Sequence, residues 1–298
     1  MTHEKEVSMG WREQLGSGEF LTVAEVLPPK GVAVKGFEER LIPLKGRVAA
    51  ISVPSLQGGI MRMSSWAACQ YLHKKGYETI CEISCAHQNR LAIQAELLGA
   101  YHLGIENMMA VAGDDPKLGD HPAAKAVFDI DLLELLEAIK KLRTGYDMSG
   151  GDLEGSPHFC VGAKLDASAQ GHVLDLEMKE MEKKIRLGVE FFITTSVYDL
   201  AQFEAFMQKA RTFGVPVIAG LMVLKSAGMA SYINKHVSGV AIPEGIIEQL
   251  MKAPDKIAAS VDIASEIIKG LRGICQGVSI IAMGWEDQVP RLLDAAGL

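Results

Sequence analysis

Residues 78–112 read ETICEISCAHQNRLAIQAELLGAYHLGIENMMAVA, and this stretch decides the fold. Two short apolar runs, at 78–84 and 106–112, predict β-strands, and the longer amphipathic run between them predicts a helix. Asn89 can cap the start of that helix and Gly104 can end it. A strand, a helix and a second strand in this order predict parallel pairing through a right-handed crossover.

The same alternation continues on both sides of this unit. Eight strands separated by helices indicate closure into an α/β fold, the (β/α)8 TIM barrel. The whole chain, 1–298, is expected to form one such domain, with 1–19 as an N-terminal extension. The Gly-, Asp- and Ser-rich segment 144–157 is interpreted as a surface loop, because the alternation resumes directly after it. The other strands are predicted at 21–27, 47–53, 158–164, 190–195, 215–221 and 278–283.

Composition argues against several classes of protein. The 298 residues carry a net charge of −7, whereas a protein that binds duplex nucleic acid would show a basic stripe. Five cysteines without a C-x-x-C pair indicate reduced thiols in a cytoplasmic protein, and they predict no metal site. The polar N-terminus lacks the apolar core of a signal peptide, and no apolar run is long enough to predict a membrane span.

Barrels of this kind place their chemistry at the carboxyl ends of the strands. Glu25 interrupts the apolar run VAEVL at the end of the first strand, just before a Pro-Pro corner. Partial burial at that point would raise the pKa of the carboxyl, which suits a general acid. Position alone leaves open the alternative that Glu25 points outward or pairs with Lys30.

Asp114 follows AVAG at the end of the fourth strand. Gly113 permits close approach of the backbone to a ligand, although G-D-D-P-K is also ordinary turn chemistry. Lys184 lies in a helix of alternating charge, which is typical of a solvated face unless the ammonium group reaches a phosphate. His87 and His121 are each isolated from other metal ligands in the sequence, so neither is interpreted as one.

Seven segments, taken in order, resemble the methylenetetrahydrofolate reductase family. The longest is HQNRLAIQAELLGAYHLGIENMMAVAGDDPKLGDHPAAKAVFDIDLLELL, and together the segments span residues 20–298. The tail GVSIIAMGWEDQVPRLLDAAGL resembles the acetogen-type and related anaerobic bacterial branch. The other five segments are AEVLPPKG, VGAK, KKIRLGVEFFITTSVYD, PVIAGLMVLKSAGMA and GVAIPEGI.

The resemblance implies a flavin-containing barrel that reduces 5,10-methylenetetrahydrofolate to 5-methyltetrahydrofolate by hydride transfer from N5 of the reduced flavin. Glu25 matches the family's glutamate, which protonates the folate so that its five-membered ring opens to an iminium ion. Asp114 matches an aspartate near the pterin and the flavin. The resemblance further implies contacts with the phosphates and ribose of FAD for four residues, Gly113, Phe128, Glu177 and Lys184.

Four positions depart from the family's pattern. Thr195 stands where many members carry a glutamine that contacts folate and nicotinamide, and threonine is shorter with fewer donors. Glu82 and Ala112 stand where better-studied members carry a histidine and an arginine that contact the flavin, and Lys164 replaces a tyrosine. These changes imply an altered mode of flavin binding, with FMN as the alternative to FAD. Tyr198 is expected to contact the substrate together with Thr195 and Asp114.

Three functions remain open at this point. The first is an active reductase whose electrons come from NAD(P)H or through a zinc- or iron–sulfur-containing partner subunit, with a folate as substrate and a homo-oligomer as the other expected assembly. The second is a folate- or flavin-binding scaffold subunit of a larger electron-transfer complex, without reductase activity of its own. The third is a pterin-dependent methyltransferase, since barrels also host that chemistry.

Overall fold

Eight parallel strands form a closed barrel in the computed structural model, which describes residues 9–298. The strands pair in chain order, and β1 closes the barrel by pairing with both β2 and β8. The predicted (β/α)8 TIM barrel is therefore confirmed, and each predicted strand overlaps an observed one. The strands are β1 Leu21–Glu25, β2 Ala50–Val53, β3 Thr79–Ser84, β4 Asn107–Val111, β5 Cys160–Leu165, β6 Phe191–Ser196, β7 Val217–Met222 and β8 Gly277–Ile281.

Helices connect the strands and pack around the outside of the barrel. Eight of the helices in the described part of the chain overlap the helical runs that the sequence predicts, at 62–75, 89–103, 132–143, 174–187, 199–213, 243–252, 256–272 and 286–296. None of the helices within residues 9–298 is both long and apolar enough to cross a membrane. The helices are α1 Trp11–Gly16, α2 Lys35–Leu41, α3 Ser65–Lys74, α4 Arg90–His102, α5 Leu132–Arg143, α6 Gly171–Arg186, α7 Leu200–Ala210, α8 Ala227–His236, α9 Glu244–Lys252, α10 Lys256–Leu271 and α11 Val289–Ala296.

Three observed helices, α1, α2 and α8, were missed by the sequence analysis. The first two have 6 and 7 residues, which is too short for a clear helical period. The third begins Ala-Gly and mixes small, polar and aromatic residues, AGMASYINKH. Tertiary contacts, more than local preference, therefore stabilise these three helices.

The sequence signals at the two ends of α4 and in the loop after α5 correspond to the predicted structure. The side chain of Asn89 accepts a hydrogen bond from the amide of Ala92 at 3.0 Å, which caps the start of α4. Gly104, just after this helix, adopts a left-handed φ of 85°. The segment 144–157 contains neither a helix nor a long strand, only one antiparallel bridge between Tyr146 and Asp152. It is a loop, as predicted.

The apolar core has two layers. Outward-facing residues such as Ala24 of β1 and Val26, just after that strand, belong to the layer between the strands and the surrounding helices. Inward-facing residues fill the barrel interior together with Trp11 of α1. This helix lies within the predicted extension 1–19 and closes the amino-terminal end of the barrel, while residues 1–8 lie outside the described residues. The closed end leaves the opposite end, at the carboxyl ends of the strands, as the mouth of the barrel.

Candidate active site

Strand alternation directs several charged side chains into the mouth of the barrel. In β1, Leu21 and Val23 belong to the interior layer, so Glu25 at the end of the strand points inward as well. The same alternation directs Glu82 of β3 and Lys164 of β5 inward. Three charged groups from three strands are therefore brought together at the carboxyl end of the barrel.

Glu82 and Lys164 form an ion pair across the mouth. Glu82 is only 5% exposed, and its Oε2 lies 3.1 Å from Nζ of Lys164. The backbone amide of Ser55 donates to Oε1 of Glu82 at 3.1 Å. The charge of Glu82 raises the pKa of Lys164, and the charges of Glu25 and Asp114 add to that increase. A protonated lysine thus balances a buried carboxylate that would otherwise be costly.

Glu25 has the electrostatic setting of an acid. Burial raises the pKa of its carboxyl, and the positive charge of Lys164 partly opposes the increase. The side-chain amide of Gln57 donates to Oε1 of Glu25 at 3.1 Å. Lys30, the alternative partner for this carboxylate, pairs with Asp120 instead. Glu25 therefore points inward, and its carboxyl stays protonated to a higher pH than the carboxyl of an ordinary glutamate.

Gly113 and Asp114 form the rim of the mouth after β4. Gly113 has a left-handed φ of 85°, and a Cβ at this position would lie 1.9 Å from Oγ of Ser84. Only glycine fits there. Asp114 is exposed, and its Oδ2 accepts a hydrogen bond from the amide of Gly58 at 2.6 Å. The turn is therefore a shaped part of the site rather than a free surface turn.

The loop between β2 and α3, residues 54–64, is a part of the site that the sequence analysis missed. It contacts all three carboxylates of the mouth, Glu25, Glu82 and Asp114. The available signal was Gln57, which precedes two glycines shortly after the end of a strand. That signal is weak, because two of the three contacts use backbone amides that any residue could supply.

Thr195 lies where the pairing of β6 with β7 becomes irregular, between Ile193 and Ser196. Its hydroxyl accepts from the amide of Ala167 at 3.1 Å and donates to Asp166 at 3.5 Å. The threonine therefore holds the loop after β5 in place. Its hydroxyl is already engaged by the protein, so it does not reproduce the freely reaching amide of a glutamine.

Tyr198 belongs to the wall of the barrel. It is 5% exposed, and its hydroxyl donates to the carbonyl oxygen of Met222 at 2.7 Å. Burial raises the pKa of the phenol. Within the described structure, the donor that would serve a substrate is used to join the end of β6 to the end of β7.

Lys184 and Glu177 of α6 lie against the backbone at the end of β5. Lys184 is 8% exposed, so the interpretation of a solvated helix face is wrong for this residue. Its Nζ donates to the carbonyl oxygen of Lys164 at 2.9 Å and lies 4.0 Å from Glu177. Glu177 in turn accepts from the amide of Asp166 at 3.1 Å. Loss of solvation lowers the pKa of Lys184.

Ala112 and Phe128 lie at the exposed edge of the mouth. Phe128 is 46% exposed and has a φ of 40°, an uncommon backbone conformation for a residue other than glycine. The methyl group of Ala112 is exposed, and its carbonyl oxygen accepts a long hydrogen bond of 3.4 Å from Ser84. Both side chains offer apolar surface at the rim rather than charge.

A cavity of about 120 Å³ lies beside Glu82, between the β2–α3 loop and the start of α4. Both ring nitrogens of His87, Nε of Arg62 and Oε1 of Gln88 are buried there without a hydrogen-bond partner in the described chain. Burial lowers the pKa of His87. No group of three or more His, Cys, Asp and Glu within residues 9–298 is arranged to hold a metal ion. The polar atoms of this cavity are suited to hydrogen bonds with water or a polar molecule.

Together these features define a class of protein, a (β/α)8 barrel with titratable side chains gathered at the carboxyl ends of its strands. A family model described as methylenetetrahydrofolate reductase matches residues 11–297. The chain belongs to this family, as the seven segments indicated.

Curated relatives carry the same name but are longer. Methylenetetrahydrofolate reductase 2 of Schizosaccharomyces pombe is 24% identical over 241 residues, which cover 72% of this chain and 35% of the relative. Methylenetetrahydrofolate reductase 2 of Saccharomyces cerevisiae is 25% identical over 201 residues, with coverage of 65% and 31%. The chain thus spans about a third of the length of the curated relatives it matches.

Solved structures share the barrel at lower identity. A Clostridium thermocellum protein described as binding two copies of 5-methyl-5,6,7,8-tetrahydrofolic acid superposes with a TM-score of 0.60 at 15% identity, covering 96% of this chain and 97% of that one. A long-chain alkane monooxygenase reaches a TM-score of 0.54 at 11% identity, with coverage of 94% and 92%. These likenesses concern the fold alone.

Proposed function

We propose that this chain reduces 5,10-methylenetetrahydrofolate to 5-methyltetrahydrofolate with a bound flavin, and that Glu25 is its general acid. The observation that carries the proposal is the raised pKa of Glu25 at the mouth of a barrel of this family. A carboxyl that keeps its proton to a higher pH than an ordinary glutamate is better suited to donate it to a substrate nitrogen.

Glu25 performs the proton transfer in this proposal. It donates its proton to the folate, the five-membered ring opens, and the methylene carbon becomes an iminium ion on the substrate. When bound, a reduced flavin supplies the hydride that converts this carbon to a methyl group. The carboxylate left on Glu25 is stabilised by Lys164, whose charge favours the ionised acid. Lys164 therefore assists the release of the proton after the substrate has bound.

The residues of the mouth fit the polar ring of a flavin. Glu82 and Asp114 offer hydrogen-bond acceptors, and Lys164 offers a donor. Gly113 would contact the ring through its backbone, since the space beside its Cα is filled by Ser84. Ala112 lies beside them at the rim. None of these positions carries an arginine, which favours contacts with the flavin ring and its hydroxylated side chain.

The more distant parts of the cofactor are assigned to α6 and to the rim. Glu177 would accept from a ribose hydroxyl, and Phe128 would cover an apolar face. Lys184 is only 8% exposed, so its ammonium group can reach a phosphate only if the side chain leaves its buried position behind β5. FAD is the proposed cofactor, and FMN, which lacks the adenosine part, is the alternative.

The substrate is assigned to the part of the mouth beside the flavin, with Asp114 in reach of both molecules. Asp114 would bind the pterin ring through its exposed carboxylate. Thr195 and Tyr198 are proposed as neighbours of the folate, although both hydroxyls already bond to the protein. Folate recognition in this chain would then depend less on side-chain amides than in family members that carry the glutamine.

The remaining assignments concern electrons and assembly. Electrons would come from NAD(P)H or through a zinc- or iron–sulfur-containing partner subunit, and the chain would work in the cytoplasm as a homo-oligomer or within such a complex. Side-by-side assays with NADH, NADPH and a reduced viologen separate these donors. Activity with the viologen alone would favour a partner subunit as the physiological donor.

Spectroscopy of the purified protein tests the proposal. The protein, as isolated or after incubation with FAD or FMN, should be yellow, should bleach with dithionite, and should regain its colour when 5,10-methylenetetrahydrofolate is added without oxygen. A protein that binds neither flavin would contradict the reductase. A reduced flavin that the folate does not reoxidise would favour the scaffold function instead.

The role of Glu25 is tested by Glu25→Gln. This variant should keep the rate of flavin reduction and lose about a hundredfold to ten-thousandfold in the rate of reoxidation by the folate, the range that a general acid contributes. Glu154→Gln, at an exposed glutamate of the 144–157 loop, is the matched control. Normal folate turnover by the Glu25 variant would show that another group supplies the proton.

A further inference from the structure

One loop connects the three carboxylates of the mouth. The amide of Ser55 donates to Glu82 at 3.1 Å, and the amide of Gly58 donates to Asp114 at 2.6 Å. Between them, Nε2 of Gln57 donates to Oε1 of Glu25 at 3.1 Å. These carboxylates come from β1, β3 and the end of β4, so the β2–α3 loop is the common element that orders them.

The conformation of this loop is tightly determined. Leu56, Gly58 and Gly59 have left-handed φ values of 48°, 67° and 68°, which is uncommon for a leucine. Gly59 packs against the loop after β4, because a Cβ on Gly119 would lie 1.9 Å from the carbonyl oxygen of Gly59. The loop therefore holds Gln57 in a fixed place beside Glu25.

We propose that Gln57 is a positioning residue that selects which oxygen of Glu25 carries the acidic proton. This inference rests on the proposed function of Glu25. A side-chain N–H can only donate, so the oxygen it contacts must accept. The carbonyl oxygen of a protonated carboxyl is a stronger acceptor than its hydroxyl oxygen, so the contact of Gln57 with Oε1 favours the proton on Oε2, the oxygen that remains to be presented to the substrate.

The same hydrogen bond adjusts the acidity of Glu25. It favours the ionised carboxylate and so lowers the pKa of Glu25, against the effect of burial. The titratable and charged groups that act on Glu25 are Lys164 on β5 and Glu82 on β3. Removal of the Gln57 amide leaves these charges in place. The carboxyl would then hold its proton more tightly and would present it from either oxygen.

The variant Gln57→Met tests this inference, because methionine keeps the length and much of the volume but cannot donate. Folate-dependent reoxidation of the reduced protein should slow by about 2- to 10-fold, the factor that one hydrogen bond typically provides. The alkaline limb of its pH profile should move to higher pH, since the acid deprotonates later. The rate of flavin reduction should not change. Gln208→Met, at an exposed glutamine on α7, is the control.

A second measurement does not depend on turnover. In protein labelled with ¹³C at the glutamate carboxyls, the Glu25 resonance is identified by its loss in Glu25→Gln and is titrated with pH. Gln57→Met should raise its midpoint, and Gln57→Glu should raise it further through like-charge repulsion. An unchanged or lowered midpoint in Gln57→Met would overturn the proposal. If the midpoint rises while the wild-type protein does not turn over the folate, only the proposed function fails.

Discussion

The two ends of the barrel are built from the same eight strands but have opposite chemistry. At the amino-terminal end, Trp11 is 1% exposed and packs edge-on against Phe191, with ring centroids 5.4 Å apart. At the carboxyl end, the interior positions hold Glu25, Glu82 and Lys164. One end is closed by apolar contacts, and the other is held by hydrogen bonds and opposite charges.

In β5, two successive inward-facing positions belong to the two different ends of the barrel. At Gly162 a Cβ would lie 2.4 Å from the ring of Phe191, so the glycine leaves room for the apolar plug. The next inward residue, Lys164, already pairs with Glu82 in the mouth. Apolar burial therefore stabilises the closed end, whereas the partly desolvated charges lower the stability of the open end.

The largest effect on stability is expected for a substitution at the closed end of the barrel. Trp11→Ala removes a buried aromatic side chain and should lower the free energy of unfolding by about 3–5 kcal/mol. Urea denaturation measures this loss. Leu91→Ala, at a side chain that is 75% exposed, is the control and should change stability by less than about 0.5 kcal/mol. The rate of folate-dependent flavin reoxidation per folded molecule should stay unchanged in Trp11→Ala. A strong loss of this rate would show that the two ends of the barrel are coupled.

A smaller effect is expected at the rim of the mouth. Gly113→Ala combines a left-handed φ with a clash against Ser84, and it should cost about 2–3 kcal/mol. Gly145→Ala is a matched control, since Gly145 has a φ of 87° but no atom within 4 Å of its added Cβ. The control should cost about 1 kcal/mol. Equal losses in the two variants would mean that the rim relaxes around the clash.

The smallest effect on stability is expected for a substitution of Glu25. A carboxyl whose pKa is raised by folding binds its proton more tightly in the folded state, so it lowers stability as pH rises above the ordinary glutamate value. Glu25→Gln removes this cost and should stabilise the protein by about 1 kcal/mol at pH 8, with little change near pH 4. Melting temperatures of the variant and of Glu154→Gln across this range measure the difference. A variant that is less stable than wild type at pH 8 would contradict the assigned burial.

The sequence predicted the barrel well because strand and helix periods are local properties. The run from Glu78 to Ala112 carries its own cap at Asn89 and its own terminator at Gly104, so its elements were recognisable without tertiary contacts. The helix at Trp11–Gly16 was not recognisable, because 6 residues are too few to show a helical period and the burial of Trp11 depends on contacts with the barrel.

In the candidate site, too, some residues were recognisable from the sequence and others were not. Glu25 and Asp114 were recognisable because each is a carboxylate at the end of a predicted strand. Gln57 was not, because its partner lies 32 positions away and the contact depends on a loop with left-handed residues. Tyr198 was predicted to contact the substrate, and only the structure shows that its hydroxyl bonds to the carbonyl oxygen of Met222.

By itself, the sequence determined the order of strands and helices and therefore the barrel, because periodicity and caps act over a few residues. Its motifs also determined the family. Only the tertiary structure decided that Lys164 pairs with Glu82, that Lys184 is buried behind β5, and that one loop orders three carboxylates. These arrangements depend on closure of the barrel, which brings distant strands together and removes their charged groups from water.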